Sequence, residues 1–240
     1  MVDGAWTVGK LFSASSGSVQ RKIFYAPDAV QESYGEIIYF GTGDRENPDD
    51  TSVVNRFYAV KNDWTATGTL TESDLVDVTS NQIQLGTTEQ RTQVKAQLES
   101  GKGWFIRLEN PGEKVVATPR VYAGVVYLTT YTPSDGSGTT SGDPCAASTA
   151  RGVARLYAMD YKTGAAVHYF SNEAETDASG NSVSLGKKDR SIAIGTAIPS
   201  APVIAVLGGG ARIFIGVEGG LVSLPAIANE DMHRFYWNRF

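Results

Sequence analysis

Short apolar runs rich in Val, Ile, Tyr and Phe recur along the whole chain, separated by clusters of Gly, Pro, Asn and Asp. Runs of roughly four to eight such residues, bounded by turn formers, read as β-strands. They predict strands at residues 22–25, 36–40 and 54–60 in a first group. A second group falls at 115–122, 125–130 and 154–159. A third falls at 191–194, 203–207, 212–217 and 221–224. One segment breaks this pattern. Residues 88–98 (TEQRTQVKAQL) predict a short helix, with Thr88 as the cap and Gly101 near its end. Its few apolar positions place it on the surface.

The strands recur in order. Ala26-Pro27, Thr118-Pro119 and Ala201-Pro202 each introduce a short strand, a turn, and then a β-branched or aromatic strand: EIIYFG (36–41), VVYLTT (125–130) and ARIFIG (211–216). A third strand follows each: RFYAV (56–60), RLYAM (155–159) and GLVSL (220–224). A fourth, aromatic strand follows those: WFIRL (104–108), VHYF (167–170) and FYWN (235–238). Pro27 and Pro119 lie 92 positions apart, and Pro119 and Pro202 lie 83 apart. A plain four-stranded propeller blade takes roughly 40–50 residues, so the surplus belongs to insertions. Two are visible, at 62–102 with the helix and at 131–150, rich in Ser, Thr, Gly and Pro. The fold class expected is all-β. It is a partial β-propeller of about three four-stranded blades, with residues 5–13 as one strand of a preceding blade and one short inserted helix. Residues 1–240 read as a single propeller-type domain, an open sector of a larger propeller whose remainder would be N-terminal. A β-sandwich would also give many short strands.

Composition narrows the chemistry. The net charge is −5 with a pI near 5.1, which offers no basic field for phosphate and argues against nucleic acid as a partner. Glycine at 26 residues, about 11%, exceeds the usual ~7% and fits a turn-rich chain. A single cysteine, Cys145, excludes an intrachain disulfide and four-ligand cysteine zinc sites. The first residues, MVDGAW, carry no basic stretch and no apolar core, so no signal peptide is expected within the chain. The uncharged stretch 191–211 is long enough to raise a membrane span, but Pro199, Pro202 and the Gly208-Gly209-Gly210 run break a helix.

The segment RLYAMDYKTG (155–164) resembles the repeat of quinoprotein-type propellers. A wider set of residues is more specific. It comprises RKIFY (21–25) with Pro27-Asp28, FGTGDRENP (40–48), NRFYAVK (55–61), GWFI (103–106), VYLTTYTP (126–133), Cys145-Ala146 and Tyr236-Trp237. In this order they resemble the C-terminal propeller domain of the PilY/PilC family of type IV pilus tip-associated assembly factors and adhesins. The resemblance runs from about Trp6 to Phe240 and implies that residues 1–240 are the single C-terminal propeller-type domain of a longer exported protein. It implies a non-enzymatic protein at the cell surface, the pilus tip or the outer membrane. The partners implied are minor pilins, pilus-tip components and a host or abiotic surface. Missing N-terminal blades or self-association would complete the sheet edges. Some relatives bind calcium through an acidic loop with alternating aspartates, and no such loop is found here.

Candidate chemistry is sparse. The loop DRENPDD (44–50) offers oxygen ligands, but its spacing matches no calcium loop, and an interblade turn with Asp44 or Arg45 bonded to the backbone is favoured. DASGN (177–181) begins like an EF-hand, yet its twelfth position is Lys188, where a bidentate Glu is needed. A polar hairpin or loop is expected there. Cys145 has no base nearby in sequence, and His168 reads as an ordinary strand residue. The terminal HRFYWNRF (233–240) reads as the last strand of the final blade. No catalytic, cofactor-binding or metal residues are expected, and no cofactor. The competing class is an enzyme, a fragment of a quinone-dependent dehydrogenase propeller. It rests on the 156–164 repeat alone and lacks the vicinal cysteine pair such alcohol dehydrogenases use.

Overall fold

The computed structural model describes residues 9–15, 17–64, 68–134, 151–208 and 210–227. The described chain is mostly β, arranged as three larger sheets in sequence order, antiparallel except for one pair, with a separate two-stranded hairpin. Sheet 1 runs β1 (Asp28–Glu32), β2 (Gly35–Gly41) and β3 (Arg56–Asn62). It then takes in β4 (Val76–Asp77) and β5 (Gly103–Arg107) in the spatial order β1-β2-β3-β5-β4. Its first four strands are an antiparallel meander, and β4 lies parallel to β5 on the outer edge. Between β4 and β5 sit two helices, α1 (Gln82–Leu85) and α2 (Thr88–Ser100).

Sheet 2 contains β6 (Lys114–Val115), β7 (Arg120–Tyr122), β8 (Val125–Thr132) and β9 (Val153–Asp160). A small hairpin, β10 (Glu175–Thr176) and β11 (Ser182–Val183), and a 3-10 turn at Lys187–Arg190 come next. β12 (Ser191–Gly195) then joins sheet 2 beside β9. Sheet 3 is a meander of β13 (Val203–Leu207), β14 (Gly210–Val217) and β15 (Gly220–Pro225). None of the three sheets closes on itself.

The unbroken apolar character of the strands has a physical cause. Sheets covered on both faces need apolar residues at every position, not at alternate ones. In sheet 1, Ile37, Tyr39, Phe57, Ala59, Trp104 and Ile106 face Val126, Leu128, Tyr157 and Met159 of sheet 2. The alternate residues Phe40, Tyr58, Val60 and Phe105 face away and are covered by Phe12, Ala14, Leu70 and Leu75. The same alternation continues in sheet 2. Val125, Tyr127, Leu156 and Ala158 turn toward Ile213 and Ile215 of sheet 3. Each fully buried large side chain contributes about 1.5–3 kcal/mol. Trp104, Tyr39, Tyr58, Tyr127 and Phe57 are all within that class.

Sheet 3 departs from the pattern. Ile204, Ile213, Ile215 and Leu224 lie on the face toward sheet 2. Val203, Leu207 and Leu221 project from the opposite face and are exposed at 59%, 51% and 64%.

Several sequence expectations need correction. Residues 22–25 form no strand; the segment runs as coil, tied by the Gly43 N–H to the Lys22 carbonyl. Residues 115–122 split into β6 and β7, which pair with opposite ends of β8. Pro119 lies in the break and has no N–H to give the ladder. Strand β8 extends to Thr132, two residues into the region read as an insertion; residues 135–150 lie outside the described residues. The fourth strand of sheet 2 is β12, not residues 167–170, so 191–194 belong to sheet 2 instead of the third group. Of the strand expected at 5–13, the described part pairs only at one parallel bridge, Phe12 with Leu70. There Phe12 packs against Phe40 and Tyr58 with ring centroids 5.7 and 4.9 Å apart.

The helix lies where expected, but Thr87 caps it instead of Thr88. The Thr87 hydroxyl accepts from the Gln90 N–H (3.3 Å), and the Gln90 side chain accepts from the Thr87 N–H (2.8 Å). Val94 and Leu98 are buried in the core between sheets 1 and 2. Lys61 of β3 donates to the Leu98 and Glu99 carbonyls at 2.5 and 3.2 Å, placing a cation at the negative end of α2.

Candidate functional site

The junction of sheets 1 and 2 is built by the turn that follows β9. Asp160 accepts from the Lys162 and Thr163 N–H groups and from the Thr163 hydroxyl, at 3.1, 2.8 and 2.7 Å. The Gly164 N–H returns to the Asp160 carbonyl (2.8 Å), and Gly164 has φ +66°. These contacts make a tight Asx turn that closes on a left-handed residue, which favours Gly. The turn presents the Tyr161 carbonyl to two buried donors of sheet 1, Tyr39 Oη (2.9 Å) and Trp104 Nε1 (3.2 Å). Tyr161 Oη and Lys162 Nζ both reach Glu32, at 2.8 and 3.2 Å. The repeat-like DYKTG run therefore acts as a clasp between sheets. A second link, from the Val121 N–H to Asp28 Oδ2 (2.8 Å), joins β7 to β1.

Deeper in the same junction lies a buried polar cluster. Glu113 is 1% exposed, and its carboxylate accepts from Tyr157 Oη (2.9 Å), Thr130 Oγ1 (2.6 Å) and Asn110 Nδ2 (2.6 Å). Burial first, and the facing carboxylate second, push the Tyr157 hydroxyl well above its ordinary pKa. Tyr157 thus stays a neutral donor.

Tyr157 also lines a cleft of about 470 Å3 between sheet 1, sheet 2 and the 3-10 turn. Its walls carry Arg107, Arg155, Lys187, Lys188 and Arg190 together with Glu109 and Glu175. Arg190 is almost wholly buried and donates to the Thr79 and Val78 carbonyls (3.0 and 2.8 Å) and to Asn81 Oδ1 (3.2 Å). Burial lowers its pKa to about 10. The sequence reading did not single out these residues. The available signal was the run KKDR (187–190), four charges placed directly before a strand.

The acidic loop 44–50 spends its oxygens on its own backbone and one cation. Asp44 pairs with Lys22 (2.6 Å) and accepts from the Glu46 N–H (3.0 Å) and Asn47 Nδ2 (3.1 Å). The Lys22 ammonium and the Asn47 amide hold its carboxyl down at about 2. Asp50 accepts from the Ser52 N–H (2.8 Å).

DASGN (177–181) is the turn of the β10–β11 hairpin. Asp177 accepts from the Ser179 and Asn181 N–H groups (2.9 and 2.8 Å) and pairs with Arg91 of α2 (2.8 Å). His168 is not on a strand; its ring stacks on Phe170 at 4.2 Å. Burial lowers its pKa, partly offset by Asp189. Cys145 and residues 233–240 lie outside the described residues. Among the described residues, no helix is long and apolar enough to cross a membrane.

A different groove, of about 640 Å3, lies where the loops flanking β1 and β2 and the β6–β7 connection meet one end of sheet 3. It is lined by Tyr25 and Arg45, by Val116 to Thr118, and by Pro199 and Val217. Arg45 bonds Tyr25 Oη there and lies over its ring, 5.8 Å from the centroid. The groove is open, and its lining sets apolar residues beside Arg45 and Glu218.

These features define an all-β protein of successive, face-packed antiparallel meanders. Compared with solved structures, the chain is similar to the C-terminal domain of PilY1 from Pseudomonas aeruginosa, with a TM-score of 0.55 at 17% sequence identity. The similarity covers 90% of this chain and 48% of that one, so the chain spans about half the length of the solved domain. The fold resemblance read from the sequence motifs is thereby shown. No family model matches the chain, and no curated protein matches it in sequence.

Proposed function

We propose that the three sheets are consecutive blades of a partial β-propeller, and that the chain is a non-enzymatic binding module of a type IV pilus assembly factor or pilus-tip adhesin. Likeness in fold to the PilY1 C-terminal domain over 90% of the chain is the observation that carries this reading. The motif order along the sequence supports it independently. In this reading the module acts at the cell surface, where it docks minor pilins and other pilus-tip components. The groove between the loops of sheets 1 and 2 and one end of sheet 3 supplies a partly apolar contact face for them. The clasp at Asp160 to Gly164 holds the blades in register and serves structure, not chemistry.

The uncovered face of sheet 3 supports the propeller part of the reading. Its outer face carries Val203, Leu207 and Leu221 beside the polar pair Arg212 and Ser223, and meets no layer among the described residues. A further sheet packing there would complete the pattern.

The test is co-purification of the full-length gene product with pili from the source organism, alongside a gene deletion. Minor pilins should co-purify, and the deletion should reduce surface pili. Normal piliation in the deletion, together with no pilin in the purified fraction, would overturn the proposal.

A further inference from the structure

The cleft beside Tyr157 has an unusual charge balance. Five cationic side chains line it against two carboxylates, in a chain of net charge −5. Three of the cations are matched. Arg107 pairs with Asp77 (2.8 Å), Lys187 with Glu109 (2.5 Å) and Lys188 with Glu173 (2.9 Å). Arg155 and Arg190 pair with no carboxylate among the described residues, and each has a buried Nε without a hydrogen-bond partner there. Arg190 is 4% exposed, and its terminal nitrogens meet only neutral oxygens. Glu109, Glu175 and Asp77 lie near enough to Arg190 to favour its charge, whereas the half-buried Arg155 on the cleft wall has no such partner among the described residues. An anion in the cleft would give the terminal nitrogens of Arg155 the counter-charge they lack.

We infer that this cleft is a binding site for a carboxylate group, held by Arg155. The inference goes beyond the proposed function and stands whether or not the chain works at a pilus. The volume, about 470 Å3, falls in the ordinary range of small-ligand sites. The planar guanidinium fork suits a carboxylate and would also suit a phosphate. The walls decide between them. Glu109 and Glu175 repel a dianion more strongly than a monoanion. The carboxylate has two possible sources, a free small acid or an acidic side chain in a peptide. Ser191, which lines the cleft, begins β12, and the outer edge of β12 pairs with no strand among the described residues. An extended peptide would find main-chain partners along that edge.

Calorimetric titration of the 240-residue chain tests this with three probes: glutarate, an acetylated and amidated Ala-Glu-Ala peptide, and inorganic phosphate. Carboxylate probes should bind saturably, and phosphate about tenfold or more weakly. Arg155→Gln should weaken carboxylate binding about tenfold or more. Arg155→Lys, which keeps the charge and loses the fork, should also weaken it. Lys95→Gln, on α2 outside the cleft, should bind as the parent does. Melting temperatures of the variants establish that each is folded. A tighter peptide assigns the site to a peptide; tighter glutarate assigns it to a small acid. The inference is overturned if neither carboxylate probe saturates, if phosphate binds as tightly, or if both Arg155 variants bind like the parent.

Discussion

Glu113 shows how much one buried carboxylate can organise. Its side chain takes hydrogen bonds from strands β8 and β9 and from the loop residue Asn110, and it has no cation among those partners. Removing it leaves three donors unpaired in the interior. Glu113→Ala is therefore expected to cost about 3 kcal/mol or more, and Tyr157→Phe only about 1–2, measured by urea denaturation. Asp189 adds a pH dependence. Burial acts to raise its pKa, but the Ser171 and Gly186 N–H groups and the Ser171 hydroxyl outweigh it and hold the carboxyl below its ordinary value. A depressed folded-state pKa gives stability that is complete above the unfolded value, near ~3.9, and is lost as pH falls through the folded one. Asp189→Asn should flatten the loss of stability below about pH 4, seen as a smaller drop in melting temperature between neutral and acid pH. An unchanged acid limb would show that Asp189 does not set it.

At the level of elements, the turn after β9 is sensitive to a single change. Gly164 has φ +66°, and a Cβ there would stand 2.9 Å from Val78 Cγ2 and 3.1 Å from the Trp104 ring. Gly164→Ala combines backbone strain with overpacking and should cost roughly 2–4 kcal/mol. The matching control, Gly180→Ala, shares a positive φ but meets nothing within 4 Å, so it should cost less. Denaturation midpoints at unchanged m-value check both.

The same elements mark how far the sequence could be read. Strands β2, β3, β8, β9 and β13 to β15 were legible because each is a compact β-branched or aromatic run bounded by turn residues. The helix was legible from its polar, cap-flanked composition. Strand β12 was misplaced because its partner β9 lies about 30 residues back, across the β10–β11 hairpin, and pairing at that range leaves no local mark. Residues 167–170 are aromatic and strand-like, but the His168–Phe170 stack lies outside any ladder. No site residue was predicted, and beyond the charged run 187–190 the cleft left no local mark for a similar reason. Arg107, Arg155 and Arg190 come from separate segments and meet only in the fold.

Across the whole molecule, each described sheet buries a face against the next, in the order sheet 1, sheet 2, sheet 3. That progression, with the uncovered outer face of sheet 3, underlies the reading of blades around an axis. A cryo-electron microscopy or crystal structure of the full-length protein tests it most directly. Sheets 1 to 3 are expected as neighbouring blades of a closed ring, with Val203, Leu207 and Leu221 buried under a following sheet. Two stacked layers without a common axis, or a sheet 3 whose outer face still meets solvent, would contradict it.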